Sequence, residues 1–372
     1  MLKKDNFFKN YFINLSKYNK NLKKTKKVFS SFIVDLKNNQ IPLLKSYEKN
    51  YEFDFSATTV KKFSKYRNIV VIGMGGSILG TKSIYSFLKK RIKKEVFFFD
   101  NLDLNLSLKY KKIKNLKNSC FIIVSKSGDT LETITNLGTI FSENLLKNKL
   151  IIITEITDNA LMAIANKYNA EIIEHKKFIG GRYSVLSETG MFPAALMGLN
   201  LMKFKNLKRL INNKNFISSL IQNVASIHTL NSKKINNSVI LNYDSSLNDL
   251  GYWYQQLVAE SLGKQGKGIN PILSFGPKDH HSLLQLYLDG PKDKFFTFFN
   301  SSKRENKLKV ARGIIPNNMG FLINKNLEFI INAQCNATKN IFKLKKIPFR
   351  QITFTKKNED ELGEIFTFFV LE

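Results

Sequence analysis

The 372-residue chain is poor in the residues that build disulfide frameworks or metal sites. Its two cysteines, Cys120 and Cys335, fit no metal-ligand spacing and no disulfide framework, and Cys120, at the start of a core-like strand, is expected to be a buried thiol. Histidine occurs only four times. No run approaches the roughly 18 apolar residues of a membrane span, and the N-terminus lacks the apolar core of a secretory signal. A cytoplasmic location follows by elimination. Acids are also short: 29 against 59 basic residues, a net charge of +30. That balance invites a nucleic-acid or membrane partner. Against it, the basic residues are nearly all lysine, spread along the chain among Asn and Ile. Arginine, which makes bidentate contacts to phosphate and guanine, is scarce. The first fifty residues hold twelve lysines and three acids, so a basic face there stays open. Neither nucleic acid nor membrane is expected as a partner. With 43% apolar residues the chain is globular, and its length suits two domains.

Residues 1–58 contain no glycine and read as a lysine-rich helical arm. Beyond them, short apolar runs alternate with helical patterns. Ile69–Ile72, Val96–Phe99, Phe121–Val124 and Leu150–Ile153 are strand candidates, and 59–190 forms a first α/β domain. Residues 191–235 read as a helical connection. Val239–Leu241, Ile272–Leu273 and Phe295–Phe299 repeat the texture in a second domain, 236–372. The alternation predicts doubly wound parallel sheets with helices on both faces.

The most telling segment is Ser125-Lys126-Ser127-Gly128-Asp129-Thr130, between a strand candidate and a helical pattern carrying Leu131, Ile134 and Leu137. Free N–H groups at a helix start favour anions. Three hydroxyls add donors without bulk, and Gly128 lets the backbone turn. The segment reads as a phosphate cradle or, equally, as a helix cap built on Asp129 or Thr130. Gly73-Met74-Gly75-Gly76-Ser77-Ile78-Leu79-Gly80 follows the first strand. Ile78 breaks the dinucleotide fingerprint, although Asp100 stands where its ribose-binding acid would; Thr81-Lys82 reverses the P-loop order. A glycine-rich turn open to a ligand remains, with Ser77 as a donor; close strand–helix packing is the alternative. In Gly180-Gly181-Arg182-Tyr183-Ser184, Arg182 offers a fixed positive charge to an oxyanion or to an interdomain ion pair.

Asn248 or Asp249 is placed to cap a helix that Gly263 ends, with Leu250, Trp253, Leu257 and Glu260 on one face. A carboxylate continuing an apolar stripe is expected to be partly buried. Burial would raise its pKa and suit it to proton transfer near neutral pH; the alternative is a simple pair with Lys264. Asp279-His280-His281-Ser282 opens another helical pattern. Adjacent histidines diverge and no further ligand completes a metal set, so one histidine acting as acid or base fits better.

Taken in order, these segments resemble the glucose-6-phosphate isomerase (phosphoglucose isomerase) family. The matching residues are Gly75–Gly80, Ser125–Thr133, Gly180–Ser187, Gln256–Lys264 and Asp279–Ser282, spanning about 70–290. The resemblance implies two sugar-isomerase domains in a homodimer, no metal or organic cofactor, and interconversion of glucose 6-phosphate and fructose 6-phosphate in glycolysis and gluconeogenesis. It implies that Ser125, Lys126, Ser127 and Thr130 hold the phosphate, with Gly76, Ser77 and Gly181 lining the pocket. Glu260 would move the proton between C2 and C1 through a cis-enediol(ate), Arg182 would stabilise that intermediate, and His281 would open the sugar ring from across the subunit interface.

Two departures stand out. Position 280 is His where the family usually has Gln. The family's final segment, with a Gln and a Lys that complete the pocket, has no counterpart here. Instead Leu362, Ile365, Phe366 and Phe369 form an apolar helical stripe after Asn358, and the sequence stops at Leu371-Glu372. That ending reads as a C-terminally incomplete chain that exposes apolar surface. It keeps open a non-catalytic sugar-phosphate-binding protein or an inactive fragment. Activity on mannose 6-phosphate is likewise open.

Overall fold

The computed structural model describes residues 3–6, 8, 14–113, 115–140, 149–302 and 308–372. Two five-stranded sheets organise it. The first contains β2 (Asn68–Gly73), β3 (Glu95–Phe99), β4 (Ser119–Val124), β5 (Leu150–Thr154) and β6 (Glu171–Glu174), all parallel, in the order β3-β2-β4-β5-β6. Its central strands are continuous Val/Ile runs because both faces are covered. Ile69 and Val71 face one core, and Val70 and Ile72 the other.

The second sheet contains β7 (Asn237–Asn242), β8 (Asn270–Phe275), β9 (Lys294–Ser301) and β10 (Phe349–Phe354), also parallel to one another. Its edge is β1 (Lys3–Asn6), antiparallel to β10. The N-terminal arm is therefore not wholly helical as expected. A helix, α1 (Leu15–Lys37), does follow, while residues 1, 2, 7 and 9–13 lie outside the described residues. In β9 the period of two sends Phe296 and Phe298 to one face and Phe299 to the other. Among the described residues no helix is long and apolar enough to cross a membrane.

The helices that position the site are α2 (Gly76–Leu88), α3 (Leu131–Ile140), α4 (Glu188–Leu196), α5 (Lys214–Asn231), α6 (Asn248–Leu262), α7 (Leu327–Leu344) and α8 (Glu359–Leu371). One core runs across both sheets and joins α2, α4, α6 and α8. The stripe on α8 is not exposed, contrary to expectation. Leu362, Ile365, Phe366 and Phe369 are buried, with Phe366 against Trp253 and Phe369 against Tyr254 at ring separations of 4.7 and 4.6 Å. An aromatic stripe of this size is stable only against such partners.

Helix α6 is held on α2 by charge as well as by apolar contact. Asp249 accepts the Ser86 hydroxyl and faces Lys82 Nζ at 3.7 Å, and Lys82 binds Asp100 at 2.5 Å. Asp100 is thus bound to a lysine, in keeping with the broken dinucleotide fingerprint. One expectation is corrected: neither Asn248 nor Asp249 caps α6. Leu247 stands at the cap position, and Asn248 Oδ1 accepts instead from Asn242.

Candidate active site

In the first sheet β2 leads through α2 to β3 on one side, and β4 leads through α3 to β5 on the other. The strand order reverses between β2 and β4, where open parallel sheets bind ligands at the carboxyl ends of their strands. A cleft of about 370 Å³ lies at that point. Gly76 and Ser77 line it after β2, and Lys126, Ser127 and Thr130 after β4. Gly181 and Arg182 form a third wall, and Gln256 and Glu260 of α6 a fourth. The structure thus gathers segments scattered over about half of the chain. Met74 and Glu155 complete the lining.

The cradle loop is braced from within. Ser125 Oγ shares a 2.7 Å hydrogen bond with Thr130 Oγ1 and accepts from Gly128 N at 3.1 Å. Its side chain is buried, so Ser125 shapes the loop and does not line the cleft, contrary to expectation. The cause is the turn at Gly128, whose φ of +80° folds the backbone over that hydroxyl. Asp129 is turned away as well, accepting from Ala160 N at 2.9 Å and so serving a neighbouring helix. Lys126 Nζ donates to Lys177 O at 2.8 Å and lies 3.5 Å from Glu155. Gly76 is required by close approach: a Cβ there would stand 2.3 Å from the Gly181 carbonyl.

Behind the loop, burial pushes the His175 imidazole down to about 4, and the Lys126 ammonium adds to the effect. The folded state then binds fewer protons than the unfolded chain between pH 4 and 6.5, so stability falls as pH drops through that window. A shift of this size corresponds to about 3 kcal/mol. Urea midpoints measured across the window should fall steeply in the parent chain, and His175→Gln should flatten that limb.

Glu260 lies in the last turn of α6, where the helix dipole disfavours a carboxylate. It is not buried as the apolar stripe suggested: its side chain is 49% exposed. The stripe ends at Leu257, and the next turn of α6 projects past the core into the cleft. Arg182 Nη1 approaches Glu260 Oε2 at 3.4 Å, and Gln256 Nε2 donates to Oε1 at 2.8 Å. The expected alternative pair with Lys264 gives way to Arg182. Gln256 was missed by the sequence reading, although it precedes Glu260 by one helical turn on the same face. Glu155 was missed too; its place just after β5, next to the end of β4, was the available signal.

His281 is exposed and stands outside the cleft; among the described residues no histidine lines it. The loop that carries it is well anchored. Asp279 accepts from Phe275 N at 2.6 Å, and His280 Nε2 shares a 2.6 Å hydrogen bond with the Tyr243 hydroxyl. His280 is therefore a bracing residue turned inward, beside Thr338.

The family model described as phosphoglucose isomerase matches residues 38–275. The glucose-6-phosphate isomerase of Methanocaldococcus jannaschii is 35% identical over 84% of this chain and 79% of its own length. That of Campylobacter jejuni is 33% identical over 73% and 70%. Among solved structures, a hypothetical protein of Thermus thermophilus superposes with a TM-score of 0.82 at 21% identity, covering all of this chain and 92% of its own. A glucose-6-phosphate isomerase of Chlamydia trachomatis gives 0.67 at 18% identity, over 85% of this chain and 66% of that one. These two share the fold. The family match over most of the chain, with four of the five motifs meeting in one cleft at the sheet's switch point, places the chain in the phosphoglucose isomerase family.

Proposed function

We propose that the chain interconverts glucose 6-phosphate and fructose 6-phosphate. The observation that carries this is one cleft in which a hydroxyl-bearing anion loop faces a guanidinium and a carboxylate. The substrate phosphate sits on Ser127, Thr130 and Ser77, with the backbone N–H at Lys126. Phosphate at that end directs C1 and C2 toward Glu260. Its carboxylate takes the proton from C2 of the open-chain aldose and returns it to C1, while a hydroxyl proton moves between O1 and O2. Arg182 offsets the charge that collects on the enediolate oxygens. Aldose–ketose isomerisation needs no more than these parts. The relatives named glucose-6-phosphate isomerase support the same reading.

Ring opening is assigned to His281, which serves the cleft of a second subunit in a homodimer. An exposed, well-anchored loop and a cleft without its own histidine favour that arrangement. The cytoplasm is the proposed compartment, in keeping with two cysteines that remain buried thiols.

The test is a coupled assay that follows glucose 6-phosphate formation from fructose 6-phosphate by the purified chain. Turnover at rates usual for enzymes supports the proposal, and a folded chain with no turnover overturns it. The cradle has its own prediction. A hydrogen bond to an ionised group contributes about 1.5–3 kcal/mol. Ser127→Ala combined with Thr130→Ala removes two such bonds and should therefore raise KM and the calorimetric Kd for glucose 6-phosphate by at least about 100-fold. Unchanged affinity would count against the cradle.

A further inference from the structure

We propose that Ser261 is a positioning residue that fixes the Arg182 guanidinium in the cleft, with Tyr183 as its brace; this rests on the isomerase reading above. Arg182 stands on a short 3-10 turn, Gly181–Leu186. A long side chain on such a turn has many rotamers, and a cation aids an intermediate only when it is already in place. Three contacts hold it. Arg182 Nε donates to Ser261 Oγ at 2.9 Å, the guanidinium lies 4.7 Å from the Tyr183 ring centre, and Nη1 meets Glu260 at 3.4 Å. The Glu260 contact belongs to a reacting group, so the first two are the ones that can set direction throughout the reaction.

Ser261 is suited to the task. A serine oxygen has two acceptor positions and one proton. Nε fills one position, and the Tyr183 hydroxyl, 2.9 Å away, satisfies another. With Nε occupied, the Nη edge is left to face Glu260 and the cleft. Ser261 also follows Glu260 directly on α6. One turn of one helix therefore carries both the base and the anchor of the cation, which fixes their separation. The turn bearing Arg182 is braced within itself, where Ser184 Oγ donates to Gly181 O at 2.8 Å, and from outside, where the Tyr47 hydroxyl donates to Tyr183 O at 3.2 Å.

The experiment compares Ser261→Ala, Ser261→Thr and Tyr183→Phe with the parent chain. It uses kcat, KM and the affinity for two probes. One is inorganic phosphate, which reads the cradle alone. The other is a five-carbon aldonic acid 5-phosphate, whose carboxylate imitates the enediolate. Ser261→Ala should lower kcat about tenfold with KM within twofold, and weaken the aldonate about tenfold while sparing phosphate. Ser261→Thr, which keeps the hydroxyl, should restore most of both. Tyr183→Phe should give a smaller loss, about threefold, in the same direction. Parental kcat and aldonate affinity in Ser261→Ala, or equal weakening of both probes, would overturn the inference. Should Ser261→Ala lower the urea midpoint, Tyr183→Phe decides alone, and parental behaviour there overturns the brace. If the parent chain does not isomerise, yet Ser261→Ala still selectively loses the aldonate, the isomerase reading fails and the positioning role stands.

Discussion

Glu260→Gln should lower kcat for fructose 6-phosphate by about 10³–10⁴-fold, the upper part of the range for a positioned acid–base group. In the proposed mechanism the same carboxylate both removes and returns the proton, so its loss affects each half of the reaction. Phosphosugar binding should survive. An amide has the same shape as the carboxylate, and its one oxygen can still accept from Arg182 Nη1 while its NH2 faces a Gln256 amide turned to present Oε1. It also removes a negative charge from a cleft that takes a dianion, so affinity should hold or tighten. Glu260 is exposed and its turn of α6 lies outside the core, so the urea midpoint should not move. The checks are steady-state kinetics, calorimetric binding of glucose 6-phosphate and a denaturation curve on one preparation. Equal loss of turnover and binding would sink the base assignment, because a pure proton carrier contributes to the transition state and not to the bound ground state.

That glutamate shows what the sequence could and could not express. Helical period put Leu250, Trp253, Leu257 and Glu260 on one face, and they share it. Period says nothing of where a core ends, and here it ends one turn before Glu260. The apolar strands β2, β4 and β5 were legible because strands covered on both faces tolerate little but Val, Ile and Phe. β10 was not: it carries Arg350 and Gln351 in its interior. Arg350 is tolerated because Glu372 pairs with its guanidinium and Thr297 accepts from Nε at 3.0 Å, partners that only the folded chain supplies. β6, four residues with a glutamate at each end, is too short to register. The cradle loop was legible as chemistry but not as geometry. Which hydroxyls face the ligand depends on the turn at Gly128, and that turn spends Ser125 on the loop itself. His281 was singled out by the family resemblance, and its loop, opened by Asp279, lies away from the cleft that the other motifs form.

Arg182→Gln should cost about 10²–10³-fold in kcat, the range seen when one preorganised donor to a developing oxyanion is removed. KM should stay within about threefold, since the phosphate is held elsewhere. The guanidinium faces Glu260 across the cleft, so its charge acts where electron density gathers once the C2 proton has left. Proton exchange at C1 of fructose 6-phosphate in heavy water passes through the same enediolate and should fall by the same factor as isomerisation. Arg182→Lys sharpens the test. It restores a positive charge but has no Nε–H to place on Ser261 and no planar group to lie on Tyr183. Its kcat should fall between those of the parent and Arg182→Gln. Full recovery with lysine would mean that charge alone matters and geometry does not. A variant that keeps parental kcat and exchange while KM rises would make Arg182 a ground-state binding residue, and the enediolate would then need a different partner in the cleft.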